Sequence, residues 1–308
     1  MSIIQKVLPF FLVMLAGAAL ARGRVLDAGG VTGLSRYVYW LGFPALLIHS
    51  LGAATPPSPS IALGLVGYAA GALCPLLLAA GLGRAMRWPP GVRAALPMCA
   101  GLGNTGFLGL PLVVSLLGAR AQGWAGALVA IDWVVLASVS GASLHRGSGE
   151  DRSTLRALGR GLFTPIVAGA VIGTAQMLGG WRWPVPVEAA ISTLSASATA
   201  AGLVALGAVL AARRVAGQPR EAAAPVWSAV AIKLLAGPAC VGLTVTLSGA
   251  PAAFRAAAVV MAACPTAVTV FIQARTAGVF GEGSARVVAL STLLSALTLT
   301  LIAALVAG

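Results

Sequence analysis

Along its whole length, this chain alternates between apolar stretches and short polar loops. Each stretch has close to the ~20 residues that a helix needs to cross ~30 Å of hydrocarbon. The pattern therefore predicts an all-α, polytopic membrane protein with ten transmembrane helices. The predicted spans cover residues 3–21, 34–51, 61–83, 94–118, 122–144, 163–180, 189–212, 226–248, 254–281 and 287–306.

Positive charge alternates between the predicted loops. The odd-numbered loops hold 15 of the 20 Lys and Arg residues, four lie on the opposite side, and Lys233 falls inside a span. Because cytoplasmic loops are enriched in Lys and Arg, we expect a multi-pass protein of the plasma (inner) membrane with both termini external and the central loop cytoplasmic. The first span also resembles a secretory signal, but Arg22 and Arg24 after it outweigh Lys6 before it and favour a retained helix.

Composition agrees with this class and excludes others. Apolar residues make up 59% of the chain and charged residues 9%. The net charge of +13 is spread over short loops instead of one basic face, so nucleic-acid binding is not expected. The four cysteines lie within predicted spans, where we expect small packing residues and neither a disulfide framework nor a metal cluster.

Residues for catalysis are scarce. His49 and His145 are the two histidines of the chain, and we expect them on opposite sides of the membrane. They form no metal site or nucleophile–base constellation, so we predict neither an enzyme nor a bound cofactor or metal. The sequence has no phosphate-binding loop, so ATP is not expected to drive the protein directly.

Helix-breaking and polar residues concentrate in the fourth and ninth spans. Residues 101–111 contain four glycines, an Asn-Thr pair and a proline, and residues 264–269 contain a proline and two threonines. Both segments are poor material for an uninterrupted helix. Interruptions at corresponding places in two halves of a chain point to the substrate site of a transporter. The alternative is that Gly and Pro only permit kinks and close helix packing.

A helix broken at mid-membrane exposes N–H groups at the start of one half-helix, and these groups attract anions. We therefore predict a binding site for a small organic anion at the two interruptions. Its predicted residues are Asn104, Thr105, Gly106, Thr266 and Thr269.

The two halves of the chain also show faint correspondences. The spacing of Pro9 and Gly17 in the first span recurs in Pro165 and Gly173 of the sixth. A unit with an odd number of spans is inverted when it is repeated. The predicted domains are a first five-helix repeat (1–144), a cytoplasmic linker (145–162) and a second, inverted repeat (163–308).

The segment Gly103–Pro111 resembles the fourth-helix signature of the auxin efflux carrier family. That family includes plant PIN auxin exporters and bacterial carriers of malate, malonate and similar acids. Ser35–Leu51 resembles its second helix, Pro265–Val268 its ninth and Val287–Ser295 its tenth. The similarity spans essentially the whole chain, and its specific part is the Asn-Thr-Gly stretch.

The resemblance implies ten helices in two inverted repeats, with helices four and nine broken and crossing near the bilayer centre. Helices one, two, six and seven would form a scaffold through which family members often dimerise, and the others a moving transport domain. The family's crossover proline in helix four corresponds to Pro111, and Pro265 is the proline at the break in helix nine. The crossover proline of plant carriers falls at Val270, and an asparagine common in bacterial members is Thr269 here; these departures concern the substrate site more than the fold.

Three ionisable residues fall inside spans, where such residues are functional candidates. Asp132 is a candidate for proton coupling, and its alternative is a structural pair with Lys233 or a bond to a broken helix end. Lys233 is a candidate for attracting an anion, although we expect its side chain to reach the cytoplasmic interface instead. His49 is a candidate proton relay, with an interfacial histidine as the favoured interpretation.

These features predict a secondary transporter of small organic anions such as mono- or dicarboxylates or auxin-like acids. It would work by elevator- or rocking-type alternating access around a midplane site. The alternative is a sodium-coupled symporter of the bile acid symporter type, for which the chain offers few buried oxygen ligands. A receptor or a passive channel would be distinguished by the absence of saturable flux.

Overall fold

The computed structural model describes residues 3–136, 164–211 and 222–307. The predicted linker over 145–162 lies outside these ranges. In the first described range the α-helices are α1 (Ile3–Arg22), α2 (Ala28–Tyr37), α3 (Phe43–Gly52), α4 (Pro59–Ala85), α5 (Pro90–Gly101), α6 (Leu110–Leu117) and α7 (Gln122–Ile131). The other two ranges contain α8 (Pro165–Gly179), α9 (Val185–Ala211), α10 (Ala223–Ala231), α11 (Gly237–Leu247), α12 (Ala252–Ala262), α13 (Val268–Thr276) and α14 (Gly281–Ala307).

Each predicted span overlaps helices in the described part of the chain. By length and composition, five helical stretches there are long and apolar enough to cross a membrane: Ile3–Arg22, Pro59–Ala85, Val185–Ala211, Ala223–Leu247 and Gly281–Leu305. The last helix begins at Gly281, well before the predicted residue 287. Glu282 occupies its first turn, where a carboxylate is favoured by the helix dipole.

Wider π-helical turns interrupt several helices. They cover Val38–Gly42, Thr105–Gly109, Asp132–Leu136 and Ile232–Ala236. Three of these turns are followed two residues later by a proline: Pro44, Pro111 and Pro238. Because proline has no N–H and its ring crowds the preceding turn, a widened turn before it lets the helix continue. Asp132 and Lys233 both lie on π-helical turns. Such turns often occur at functional sites.

Two groups of helices pack mainly among themselves. In the first group α1 packs along α9, and α3 packs against both α8 and α9. Glycines permit these close approaches: a Cβ at Gly17 would overlap the backbone of Val204, and one at Gly207 would overlap the backbone of Met14. Small residues at such contacts are typical of helix packing in membranes.

The second group is built around α4, which packs against α5 and α11. Helix α11 also contacts α12, while α14 contacts α10, α12 and α13. Helix α7 lies between the groups and contacts α3 on one side and α12 on the other. The buried polar side chains Asn104, Thr105, Asp132, Lys233 and Thr266 come from the interrupted helices of this second group and from α7.

Candidate functional site

The fourth predicted span is interrupted directly after α5. Leu102 has an extended backbone, and Asn104 then precedes the π-helical turn that leads into α6. Gly101 permits the close approach of α4 at the end of α5, because a Cβ there would overlap the side chain of Leu76. The break therefore lies at 102–104, in the segment that the sequence indicated.

The ninth predicted span is interrupted between α12, which ends at Ala262, and α13, which begins at Val268. Pro265 lies inside this break, where its missing N–H costs no helical hydrogen bond. Pro111, in contrast, lies in the first turn of α6, beyond the π-helical turn. The expectation that Pro111 marks the crossover is wrong: the wider turn before it absorbs the proline, so the backbone breaks earlier, at Leu102–Asn104.

The two breaks cross and bind each other. Gly103 pairs with Thr266 as an isolated antiparallel bridge. The Asn104 N–H donates to the Pro265 carbonyl at 2.7 Å, and the Ala267 N–H donates to the Leu102 carbonyl at 3.1 Å. A buried backbone group without a hydrogen-bond partner is costly. Each break thus supplies partners for backbone groups of the other.

Thr266 secures the crossing with its side chain and its backbone. Its hydroxyl donates to the Cys99 carbonyl at 2.8 Å, and its N–H donates to Ser291 Oγ at 3.1 Å. Thr266 is fully buried. These bonds occupy its donors, so its position serves the contact between the two interrupted segments.

Other polar atoms at the crossing have no such partner. Asn104 is 5% exposed, and its Nδ2 is buried without a hydrogen-bond acceptor among the described residues. Thr269 Oγ1, in the first turn of α13, is likewise buried without a hydrogen-bond partner among the described residues. The Thr105 hydroxyl lies against the Asp132 carboxylate but outside the geometry of a hydrogen bond. Buried donors of this kind are rare in folded proteins, and they lie where two helices begin and N–H groups are left over.

Lys233 also lies at the crossing, since a Cβ at Gly103 would be 3.0 Å from its Nζ. Its side chain is 3% exposed, so the expectation that it extends to the interface is wrong. Its Nζ donates to the Ala262 carbonyl at 3.2 Å and, more weakly, to the Gly101 carbonyl at 3.5 Å. These residues are the last of α12 and α5. The ammonium is held inside because it satisfies the carbonyls that end both helices.

Asp132 faces the same cavity as Lys233. Its carboxylate accepts a hydrogen bond from the Tyr68 hydroxyl at 2.9 Å, and it interacts electrostatically with Lys233. The cavity has a volume of about 10 Å³ and is also lined by Gly101 and Ala262. That volume is close to the space of one water molecule. The structure thus brings Asp132 and Lys233 to one cavity, but these two described residues make no direct ion pair.

His49 lies elsewhere. Its Nδ1 is 3.3 Å from Glu188 Oε1, and both side chains are partly exposed. The pair joins α3 to α9 in the first group of helices, away from the cavity lined by Asp132 and Lys233. An exposed pair of this kind contributes little to stability.

Sequence reasoning missed several residues around the crossing. Tyr68, which donates to Asp132, could have been noticed as a tyrosine in the middle of an apolar span, away from the interfaces where tyrosine is usual. Phe107 also went unnoticed, and its ring lies 4.7 Å from that of Phe43. The absence of a side chain at Gly106 lets Phe43 approach the π-helical turn, and Gly202 of α9 receives Phe107 in the same way.

An all-helical chain with long apolar helices and two interrupted, crossing helices belongs to the class of membrane transport proteins. The profile of the family described as "Membrane transport protein" matches residues 2–153 and again residues 152–303. The chain therefore belongs to this family, the auxin efflux carrier family, and the resemblance of the Asn-Thr-Gly stretch is confirmed. Membership indicates a membrane-embedded transporter rather than an enzyme.

A curated relative agrees with this assignment. The chain is 28% identical over 304 residues to a protein of Rhizobium meliloti (strain 1021) named "Putative malonate transporter". The match covers 96% of this chain and 92% of that protein. The similarity therefore extends over both halves of the chain and both interruptions.

Proposed function

We propose that this protein is a secondary transporter that carries small organic anions, with dicarboxylates such as malonate as the first candidates. The observation that carries the proposal is the buried, unpartnered Nδ2 of Asn104 at the start of a helix. An amide donor at the start of a helix, where the first N–H groups have no acceptor within the helix, matches a carboxylate, which accepts several hydrogen bonds and is favoured by the helix dipole. The name of the Rhizobium meliloti relative supports the dicarboxylate class.

The substrate carboxylate would be bound by Asn104, by the N–H groups of Thr105 and Gly106, and by Thr269. The Thr269 hydroxyl supports this role because it is buried and has no partner among the described residues. We assign Thr266 to holding the crossing, since its hydroxyl already donates to Cys99. Asp132 is the proposed proton-coupling group, because it lies directly beside Thr105.

We propose ten transmembrane helices in two inverted repeats, with α1, α2, α3, α8 and α9 as the scaffold and the second helix group, together with α6 and α7, as the moving part. The packing of α1 on α9 and of α3 on α8 and α9 supports this division. Alternating access then displaces the crossing relative to the scaffold, in an elevator- or rocking-type motion. Phe107 against Gly202 is a contact between the two parts that such a motion would have to break or slide.

The test is uptake of labelled malonate, malate, acetate and indole-3-acetate into proteoliposomes, with and without a pH gradient or sodium. We expect saturable, sodium-independent uptake of at least one acid, and counterflow when the vesicles are preloaded with it. Uptake that requires sodium would support a symporter of the bile acid type instead. Flux without saturation or counterflow would indicate a channel, and no flux of any anion would contradict the proposal.

A further inference from the structure

The carbonyl ends of two interrupted helices meet at one buried point. Helix α5 ends at Gly101 and α12 ends at Ala262, and the carbonyls of both residues accept from Lys233 Nζ. The end of a helix carries orphan carbonyl groups and partial negative charge. Two such ends side by side in a buried crossing form a place of negative potential that requires a positive charge.

The other groups around this point also present oxygen atoms. The Asp132 carboxylate lines the same cavity, and the Tyr68 hydroxyl that bonds it lies there as well. Backbone carbonyls at half-helix ends together with a carboxylate are the ligands that bind small monovalent cations in transporters with interrupted helices. The oxygen set is therefore that of a cation site, and the ammonium of Lys233 is the cation in it.

The ammonium fills the available space. The remaining cavity of about 10 Å³ is no larger than one water molecule requires. Gly103 is close as well, since a Cβ there would lie 3.0 Å from Lys233 Nζ. A second cation does not fit beside the lysine, but removal of the side chain beyond Cβ would leave a buried, oxygen-lined cavity.

We propose that Lys233 is a tethered cation: its ammonium occupies a latent monovalent-cation site formed by the Gly101 and Ala262 carbonyls, with the Asp132 carboxylate in the same cavity. Truncation of Lys233 opens that site to a free cation such as Na⁺, K⁺ or methylammonium. The wild-type protein needs no free cation at the crossing because it carries its own. This consequence for coupling rests on the proposed transport function, whereas the binding of a cation by the truncated protein does not.

The test is the melting temperature of the purified protein without substrate, for wild type and Lys233→Ala. Each is measured in chloride salts of Na⁺, K⁺ and methylammonium, with N-methylglucamine chloride at equal ionic strength as the reference. For Lys233→Ala we expect at least one small cation to raise the melting temperature saturably, by about 5 °C at a hundredfold excess over its dissociation constant. For wild type we expect a change below about 1 °C, because the site is filled.

Two further variants separate a filled site from a general salt effect. Lys233→Met removes the charge but keeps most of the side-chain volume, so no cation should enter. The double variant Lys233→Ala with Asp132→Asn keeps the cavity but loses the anionic ligand, so the cation response should fall at least tenfold in affinity. Lys6→Ala, in α1, is the matched control for loss of a lysine elsewhere and should respond like wild type.

Recovery of the variant provides a second measurement. If Lys233→Ala can be purified only in the presence of a small monovalent cation, the cation is replacing the ammonium and the proposal is supported. If it melts at the same temperature in all four salts, or is lost in all of them, a free cation does not replace Lys233 and the proposal is wrong. Because no substrate is present, this outcome is independent of whether the protein carries organic anions.

Discussion

Gly103 and Thr266 form an antiparallel backbone pair where two interrupted helices cross. Two kinds of polar group meet around this pair. The start of the π-helical turn carries the buried Nδ2 of Asn104, which has no partner among the described residues. The carbonyls that end α5 and α12 receive the Lys233 ammonium. The crossing thus combines an unused amide donor with a cation that the chain supplies itself.

Asn104→Ala should weaken substrate binding in the proposed transporter. A hydrogen bond to a charged group contributes about 1.5–3 kcal/mol, so KM for the anion should rise by about 10- to 100-fold. The measurement is initial uptake into proteoliposomes over a range of substrate concentrations. Thr276→Ala, which removes an exposed hydroxyl bonded within its own helix, is the control and should leave KM unchanged. An unaltered KM in Asn104→Ala would remove the central residue of the proposed site.

Tyr68→Phe should destabilise the protein, because it leaves the buried Asp132 carboxylate without its hydroxyl donor. Loss of a partner by a buried acceptor costs about 1–3 kcal/mol. A lower melting temperature in detergent is the expected result. Tyr39→Phe removes a hydroxyl from a partly buried tyrosine outside the cavity and should melt within about 1 °C of wild type. Equal melting temperatures for the two variants would show that the hydrogen bond from Tyr68 to Asp132 does not stabilise the protein.

Gly207→Ala should destabilise the contact between α1 and α9. The added Cβ would overlap the Met14 backbone, and overpacking of this kind costs about 1–3 kcal/mol. Gly81→Ala is the matched control, since nothing lies within 4 Å of its Cβ position and alanine is the better helix former. Thermal unfolding of both variants gives the comparison. Equal stability of the two would mean that α1 and α9 can separate at little cost.

His49→Gln should leave both the transport rate and its dependence on pH unchanged. The histidine is partly exposed and pairs with Glu188 between α3 and α9, away from the cavity of Asp132 and Lys233. Uptake measured between pH 5 and pH 8 checks this expectation. A displaced pH profile would restore His49 as a proton relay.

The distribution of positive charge predicts the orientation of the protein. In a variant without native cysteines, Thr55→Cys should react with a membrane-impermeant maleimide added to intact cells, and Arg87→Cys should react only after the membrane is opened. Both positions are exposed, so accessibility to the reagent is set by the side of the membrane. The reverse pattern would invert the proposed topology.

The sequence located both interruptions but misjudged how prolines act within them. Four glycines with an Asn-Thr pair, and a Cys-Pro-Thr segment, mark the breaks because their helix propensities are poor. Pro111 gave a wrong crossover position, since whether a proline breaks a helix or follows a widened turn depends on the backbone around it. The π-helical turn two residues before Pro44, Pro111 and Pro238 is a local adjustment of the backbone to the proline that lets the helix continue.

The buried partners of the site could not be predicted from the sequence either. Lys233 lies near the end of a span, and a long side chain there is expected to extend to the interface. It turns inward because the carbonyls that accept from it, at Gly101 and Ala262, lie far away in the sequence and meet only when the helices pack. Tyr68 reaches Asp132 for the same reason.

The sequence by itself determined the membrane class, the helical segments and the two places where a helix must break, because hydrophobic length and backbone propensity are local properties. The tertiary structure alone decided which orphan groups face each other. It paired Gly103 with Thr266, left the Asn104 amide free and placed Lys233 between two helix ends. Those outcomes depend on the crossing of distant segments, where buried polar groups must find partners that lie on other helices.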